Sequence, residues 1–264
     1  MATQRGKIRL PSLMSLPLIP TSRRRELAFA TGFVAAYEGA HYLITNWHVA
    51  AGRNPENGQP MASTGEIPDQ LVVLHNVAGE FGKWKGATED LYDDEGDPTW
   101  LEHPVRGRRV DVVAIPITQT EDVEFYPYEP ADPGPMITMG PSDPISVIGF
   151  PFGITGGGAM GIWVQGTLAS EPSVDWDDLP CFLIDSRTRS GQSGSPAILY
   201  RSGMYVTDDG SVMANAVPVW RFVGVYSGRI HSESDLGRIW KVQAIIEILK
   251  GQRWGALPTV GPPP

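Results

Sequence analysis

The chain has 264 residues, a formal net charge of −9 and a single cysteine, Cys181. That length can bury a large core, in one domain of two packed halves or in two small domains. The negative charge argues against a general nucleic-acid or anionic-lipid surface, and one cysteine excludes an internal disulfide framework.

The elements follow from the N-terminus. Residues 10–20 weakly imitate a secretion signal, but prolines interrupt the apolar run and Arg23-Arg24-Arg25 follows it. The expectation is an extended arm over 1–26, and a cytoplasmic rather than a secreted protein. Glu26 to Ala36 reads as a strand, Tyr37-Glu38-Gly39-Ala40 as a turn and His41 to Thr45 as the returning strand. Residues 53–69 are rich in Pro, Gly, Asn and Ser and read as loop. Gln70 to Asn76 and Arg109 to Ile117 are strands, separated by an acidic stretch at 86–100. Residues 118–143 read as a connection between two halves. Further strands follow at Ile145 to Phe150, Ile162 to Ser170, Phe182 to Asp185, Ser195 to Tyr200 and Pro218 to Ser227. Leu236 to Lys250 carries Ile239, Val242, Ile245, Ile246 and Leu249 at helical spacing. Many short strands, 30 glycines and 24 prolines argue for an all-β barrel architecture with one C-terminal α-helix. Cys181 reads as a small buried apolar residue.

Three segments carry chemistry. His48 sits where Asn46 ends a strand, at a position suited to a barrel rim. Asp111 opens the apolar run Asp111-Val112-Val113-Ala114-Ile115, where a carboxylate is costly unless hydrogen bonds meet its charge. Ser193 lies in Gly191-Gln192-Ser193-Gly194-Ser195-Pro196. The glycines permit a tight turn with N–H groups turned outward. An alcohol needs an adjacent imidazole to take its proton, and that imidazole needs a carboxylate to fix its tautomer. The order His, Asp, Ser supplies one of each.

These segments resemble the trypsin/chymotrypsin-like serine proteases, and most closely the disulfide-free bacterial branch that includes the glutamyl endopeptidases. Thr45-Asn46-Trp47-His48-Val49, Asp111-Val112-Val113-Ala114 and Gly191-Gln192-Ser193-Gly194-Ser195-Pro196 match the histidine, aspartate and serine motifs. The resemblance spans about residues 27–250. It implies two six-stranded antiparallel β-barrels with the active site between them: an N-barrel over about 27–125 and a C-barrel over about 140–235. A C-terminal helix over about 236–250 and a Pro/Gly-rich tail at 251–264 follow. It further implies an endopeptidase working through an acyl-enzyme. His48, Asp111 and Ser193 would be catalytic, and the N–H groups of Gly191 and Ser193 would form an oxyanion hole. Gly224-Val225-Tyr226-Ser227-Gly228 looks like the strand that pairs with the substrate backbone.

Arg187, Thr188, Tyr226, Ser227 and Gly228 are the candidate substrate-binding residues. Tyr226 departs from the branch's histidine at that place, whereas Thr188 matches its pocket. Arg187 near the pocket base would attract an acidic residue before the scissile bond. Partners are a protein or peptide substrate and, since a protease held inside a cell needs restraint, a regulatory partner protein; the loop 53–69 and the arm 1–26 are the alternative restraints.

Competing patterns are weaker. Gly156-Gly157-Gly158-Ala159-Met160-Gly161 fits a dinucleotide fingerprint but precedes a strand, not a helix. No zinc or calcium spacing is present, so no metal and no cofactor are expected. An α/β-hydrolase would need the order Ser, acid, His. A non-catalytic peptide-binding module on a protease scaffold is the alternative function.

Overall fold

The computed structural model describes residues 8–231 and 233–256. A single turn of helix, α1 (Pro11–Met14), leads into the first sheet. Its strands are β1 (Ser15–Ser22), β2 (Arg25–Glu26), β3 (Ala30–Tyr37) and β4 (Ala40–Thr45). The short helix α2 (Trp47–Ala51) is followed by β5 (Gln70–Val77), β6 (Trp84–Asp90), β7 (Val113–Pro116) and β8 (Val123–Glu124). The second half comprises β9 (Pro144–Gly149), β10 (Ile162–Leu168), β11 (Cys181–Asp185), β12 (Pro196–Val206), β13 (Val212–Arg229) and β14 (Leu236–Lys241). Helix α3 (Val242–Gly251) closes the series.

The second half is a closed barrel in the order β10-β11-β14-β13-β12-β9. The first half is an antiparallel sheet whose main path runs β6-β5-β1-β3-β4-β7, with β2 on β1 and β8 on β5. This path does not close by ladder bonds, unlike the complete first barrel that the resemblance implies. A side chain joins its ends instead. Glu89 on β6 is buried and accepts from the N–H of Thr118 (3.0 Å), from the Thr118 hydroxyl (2.6 Å) and from the N–H of Gln119, just beyond β7.

Two expectations need correction. Residues 15–22 are not an arm across the surface but a strand inside the sheet. β1 pairs with β3 through residues 15–18 and with β5 through residues 18–21. Pro17 is paired only with β3 and Pro20 only with β5, which is how the two prolines fit without losing a needed donor. Leu16 and Leu18 supply the buried face. The C-terminal helix starts at Val242, not Leu236. Residues 236–241 are the barrel strand between β11 and β13. Ile239 suits both a helical and an alternating pattern, and barrel closure decides. Gly237 faces the Tyr226 ring, where a Cβ would stand 2.5 Å from a ring carbon.

The halves meet across an aromatic seam. Phe33 packs edge-on against Tyr128 (5.1 Å between centroids) and Phe222 (5.3 Å), joining the two sheets in one core. Helix α3 buries Ala244, Ile245, Ile248 and Leu249 in the same core. Beyond it the chain lies against the first half, with the Arg253 carbonyl accepting from the Glu102 N–H and the Gly255 N–H donating to Trp100. Cys181 is buried, and burial pushes its thiol up to about 11. Among the described residues no helix is long and apolar enough to cross a membrane.

Candidate active site

Helix α2 is only one turn long, and its boundaries place His48. Asn46 is extended (φ −80°, ψ 150°), so the chain leaves β4 and turns into the helix at that residue. Its side-chain amide donates to the Asp111 carbonyl at 2.7 Å and ties the two segments together. Gly52 ends the helix in the left-handed region (φ 61°), where a Cβ would stand 2.3 Å from the Pro68 ring.

Asp111 is only 4% exposed. Both of its carboxylate oxygens serve His48: Oδ1 accepts the backbone N–H at 2.9 Å and Oδ2 meets ring Nδ1 at 2.7 Å. An ionised carboxylate can only accept, so Nδ1 carries the proton and Nε2 is left as a base. The buried charge that the sequence placed at the head of an apolar run is therefore met by hydrogen bonds.

Ser193 precedes β12 in a loop shaped by Gly191 (φ 93°) and Gly194 (φ 85°). Neither position has room for a side chain. A Cβ on Gly191 would lie 2.3 Å from the Phe150 carbonyl oxygen, and one on Gly194 would lie 2.0 Å from that of Thr31. The loop is fastened on both sides. Gly194 N–H donates to Tyr226 O, and Tyr226 N–H to Ser195 O, both at 2.9 Å. Across the seam, Thr31 N–H donates to Ser193 O at 2.9 Å, and the Thr31 hydroxyl donates to Gly191 O at 2.8 Å. Gln192 is buried, and its side-chain carbonyl accepts the Arg189 N–H at 2.8 Å. Among the described residues the N–H groups of Gly191 and Ser193 donate to no protein acceptor. His48, Gly191 and Ser193 line one cleft of about 260 Å³.

Thr188 and Tyr226 meet, joined by a hydrogen bond between their hydroxyls. Tyr226 is 2% exposed, and burial raises its phenol above the ordinary value against the opposing pull of the Thr188 bond, Arg229 and Arg189. Ser227 falls at a bulge in the pairing of β13 with β14, and Gly228 (φ 119°) faces open space. Arg187 does not join this group. It is exposed, alternating with the buried Ser186 and Thr188. Thr31, Phe29 and Met61 bear on the site without any sequence signal: Thr31 meets Gly191 across 160 positions of chain.

The family model of the trypsin-like peptidase domain matches residues 30–207. It does not resolve the glutamyl-endopeptidase branch. Among solved structures, a serine endoprotease from Yersinia pestis is similar at 14% identity with a TM-score of 0.49, over 90% of this chain and 62% of that one. This chain thus spans less than two thirds of that protein's length. The active form of the Rv3671c protease from M. tuberculosis is similar at 15% identity with a TM-score of 0.48, over 96% of this chain and 86% of that one. Its inactive form is similar at 18% identity with a TM-score of 0.44, over 91% and 88%. No protein with a curated description matches the sequence. The chain belongs to the trypsin-like peptidase domain family, a class of serine hydrolases.

Proposed function

We propose that this chain is a serine endopeptidase in which His48, Asp111 and Ser193 form the catalytic triad. Ser193 Oγ attacks the peptide carbonyl while its proton passes to His48 Nε2. Asp111 holds the ring and stabilises the imidazolium that forms. The Gly191 and Ser193 N–H groups bind the oxyanion, each contributing on the order of 3 kcal/mol to the transition state. His48 returns the proton to the leaving amine, and water then hydrolyses the acyl-enzyme by the same route. The observation that carries this reading is the two-point grip of Asp111 on His48, beside a cleft that His48 shares with Ser193.

We infer an acidic preference before the scissile bond from the cations around Tyr226. The Arg189 guanidinium donates to the Thr188 carbonyl at 2.9 Å and so sits beside the Thr188–Tyr226 pair. The phenol fills the space beside Thr188, which suits a short side chain such as aspartate. The bulge at Ser227 supports a backbone free to pair with the substrate.

A fluorophosphonate probe should label Ser193. Ser193→Ala or His48→Ala should abolish labelling and peptide cleavage. A wild-type protein that binds peptide tightly, takes no label and cleaves nothing would instead be a binding module.

A further inference from the structure

We propose that the cleft beside Ser193 is a leaving-group subsite that selects a large apolar residue immediately after the scissile bond, with Phe29 and Met61 setting the choice. This rests on the catalytic reading above. The cleft has His48, Gly191 and Ser193 along one side, and none of Thr188, Tyr226, Ser227 or Gly228 lines it. It is therefore a space separate from the residues assigned to the acyl side. His48 protonates the departing amine, and the chain that follows that amine enters here.

The far walls are carbon. They come from Leu27, Phe29, Val49, Met61 and Pro68. Phe29 is 48% exposed and Met61 59% exposed, so two large apolar side chains meet water at the mouth of a reactive cleft. The Phe29 ring is seated, and the Met61 backbone is anchored. The Phe29 ring lies against Gly153, where a Cβ would come within 2.9–3.1 Å of three ring atoms. Met61 N–H donates to Gly52 O at 2.9 Å, and Gly52 in turn packs on Pro68. The one carboxylate on the wall, Glu66, is engaged by Arg25 and by the Thr64 hydroxyl at 2.7 Å. Its charge is met locally, which leaves the wall to the apolar groups.

Capture of the acyl-enzyme by added amines isolates the subsite. An acyl-enzyme formed from an activated ester is offered leucinamide, phenylalaninamide, alaninamide or argininamide in competition with water. Active enzyme is counted by fluorophosphonate titration. Leucinamide and phenylalaninamide should be captured at least about tenfold better than alaninamide. Met61→Ser and Phe29→Ala, both at exposed positions, should each lower that ratio at least about threefold. Equal capture of alaninamide, preferred capture of argininamide, or ratios unmoved by both variants would overturn the assignment while the catalytic reading stands. A protein that takes no label and forms no acyl-enzyme would overturn both, since there would be no leaving group for the cleft to hold.

Discussion

The backbone N–H of Thr31 donates to the carbonyl of Ser193 over 2.9 Å, across the seam between the two halves of the molecule. Three further bonds converge on the same residue. Its hydroxyl donates to Gly191 O and accepts from Phe150 N–H at 3.1 Å, and its carbonyl accepts from the Thr45 hydroxyl at 2.9 Å. Thr31 is thus a buried hub on β3 that fixes both ends of the segment Gly191–Ser193. The carbonyls of Gly191 and Ser193 are held inward, which leaves the N–H groups of those two residues without an acceptor among the described residues.

Thr31→Val tests the hub. Valine keeps the shape and the backbone bond but removes the hydroxyl, leaving Gly191 O and Phe150 N–H short of a partner. Each buried loss costs about 1–3 kcal/mol. A loosened Gly191 peptide misplaces an oxyanion donor, so kcat should fall between about tenfold and a hundredfold. Thr31→Ser should restore most of it. Thermal midpoints measured beside kcat separate the two effects; a variant less stable yet fully active would deny Thr31 a positioning role.

Asp111→Asn should leave the fold intact and remove most of the activity. Asparagine can still accept the His48 backbone N–H through Oδ1, but its NH2 group then faces Nδ1. The ring must turn that nitrogen into an acceptor and carry its proton on Nε2, which can no longer serve as a base. The expected loss in kcat is about 10,000-fold, the magnitude established for triads of this kind in general. Steady-state kinetics at neutral pH on the folded variant measure it; a loss below about tenfold would mean that the carboxylate does not orient the base.

The candidate site is legible in sequence because the motifs that build it are local. His48, Asp111 and Ser193 each sit in a short motif whose neighbours have fixed tasks: Asn46 turns the chain, and Gly191 and Gly194 allow backbone that no side chain could share. Thr31 was not legible, because a threonine in a strand carries no mark of a partner 160 positions away. Arg187 was misplaced for a related reason. Distance from Ser193 along the chain fixes a neighbourhood, whereas the backbone beyond the end of β11 turns Arg187 outward between the buried Ser186 and Thr188. β6 carries no strand signal because Glu89 is its only buried residue and its sequence shows no apolar alternation. Ile239 of β14 also fits the helical spacing of α3, and only the closure of the barrel separates the two.

His75 gives the protein an acid-sensitive point. It is buried beside Phe125, with neither ring nitrogen hydrogen-bonded among the described residues. Burial, helped by Lys85 opposite it on β6, lowers its pKa to about 4. The unfolded chain takes up this proton near pH 6.5 and the folded one only near pH 4. Between those values the unfolded state binds more protons, so stability is full above about pH 6.5 and declines as pH falls toward 4. The total is about 3 kcal/mol. Urea unfolding as a function of pH should show this slope, and His75→Leu should flatten it. An unchanged slope in the variant would assign acid sensitivity elsewhere.

In the proposed reading, Tyr226 limits the acyl side by volume. Its ring packs on Gly237 and its hydroxyl bonds to Thr188, so the space beside Thr188 is already filled. Tyr226→Ala empties it at a stability cost of about 3–5 kcal/mol. Cleavage of peptides with leucine or phenylalanine before the scissile bond should then rise by about tenfold relative to those with aspartate or alanine. Tyr226→Phe keeps the ring and loses only the hydroxyl, so it should leave the size preference unchanged. Comparing the two variants separates occupied volume from hydrogen bonding. If Tyr226→Ala cleaved the same peptides in the same order as the parent protein, the residue before the scissile bond would have to be read elsewhere, and Gly228, with open space around it, is where the substrate chain would then have to turn.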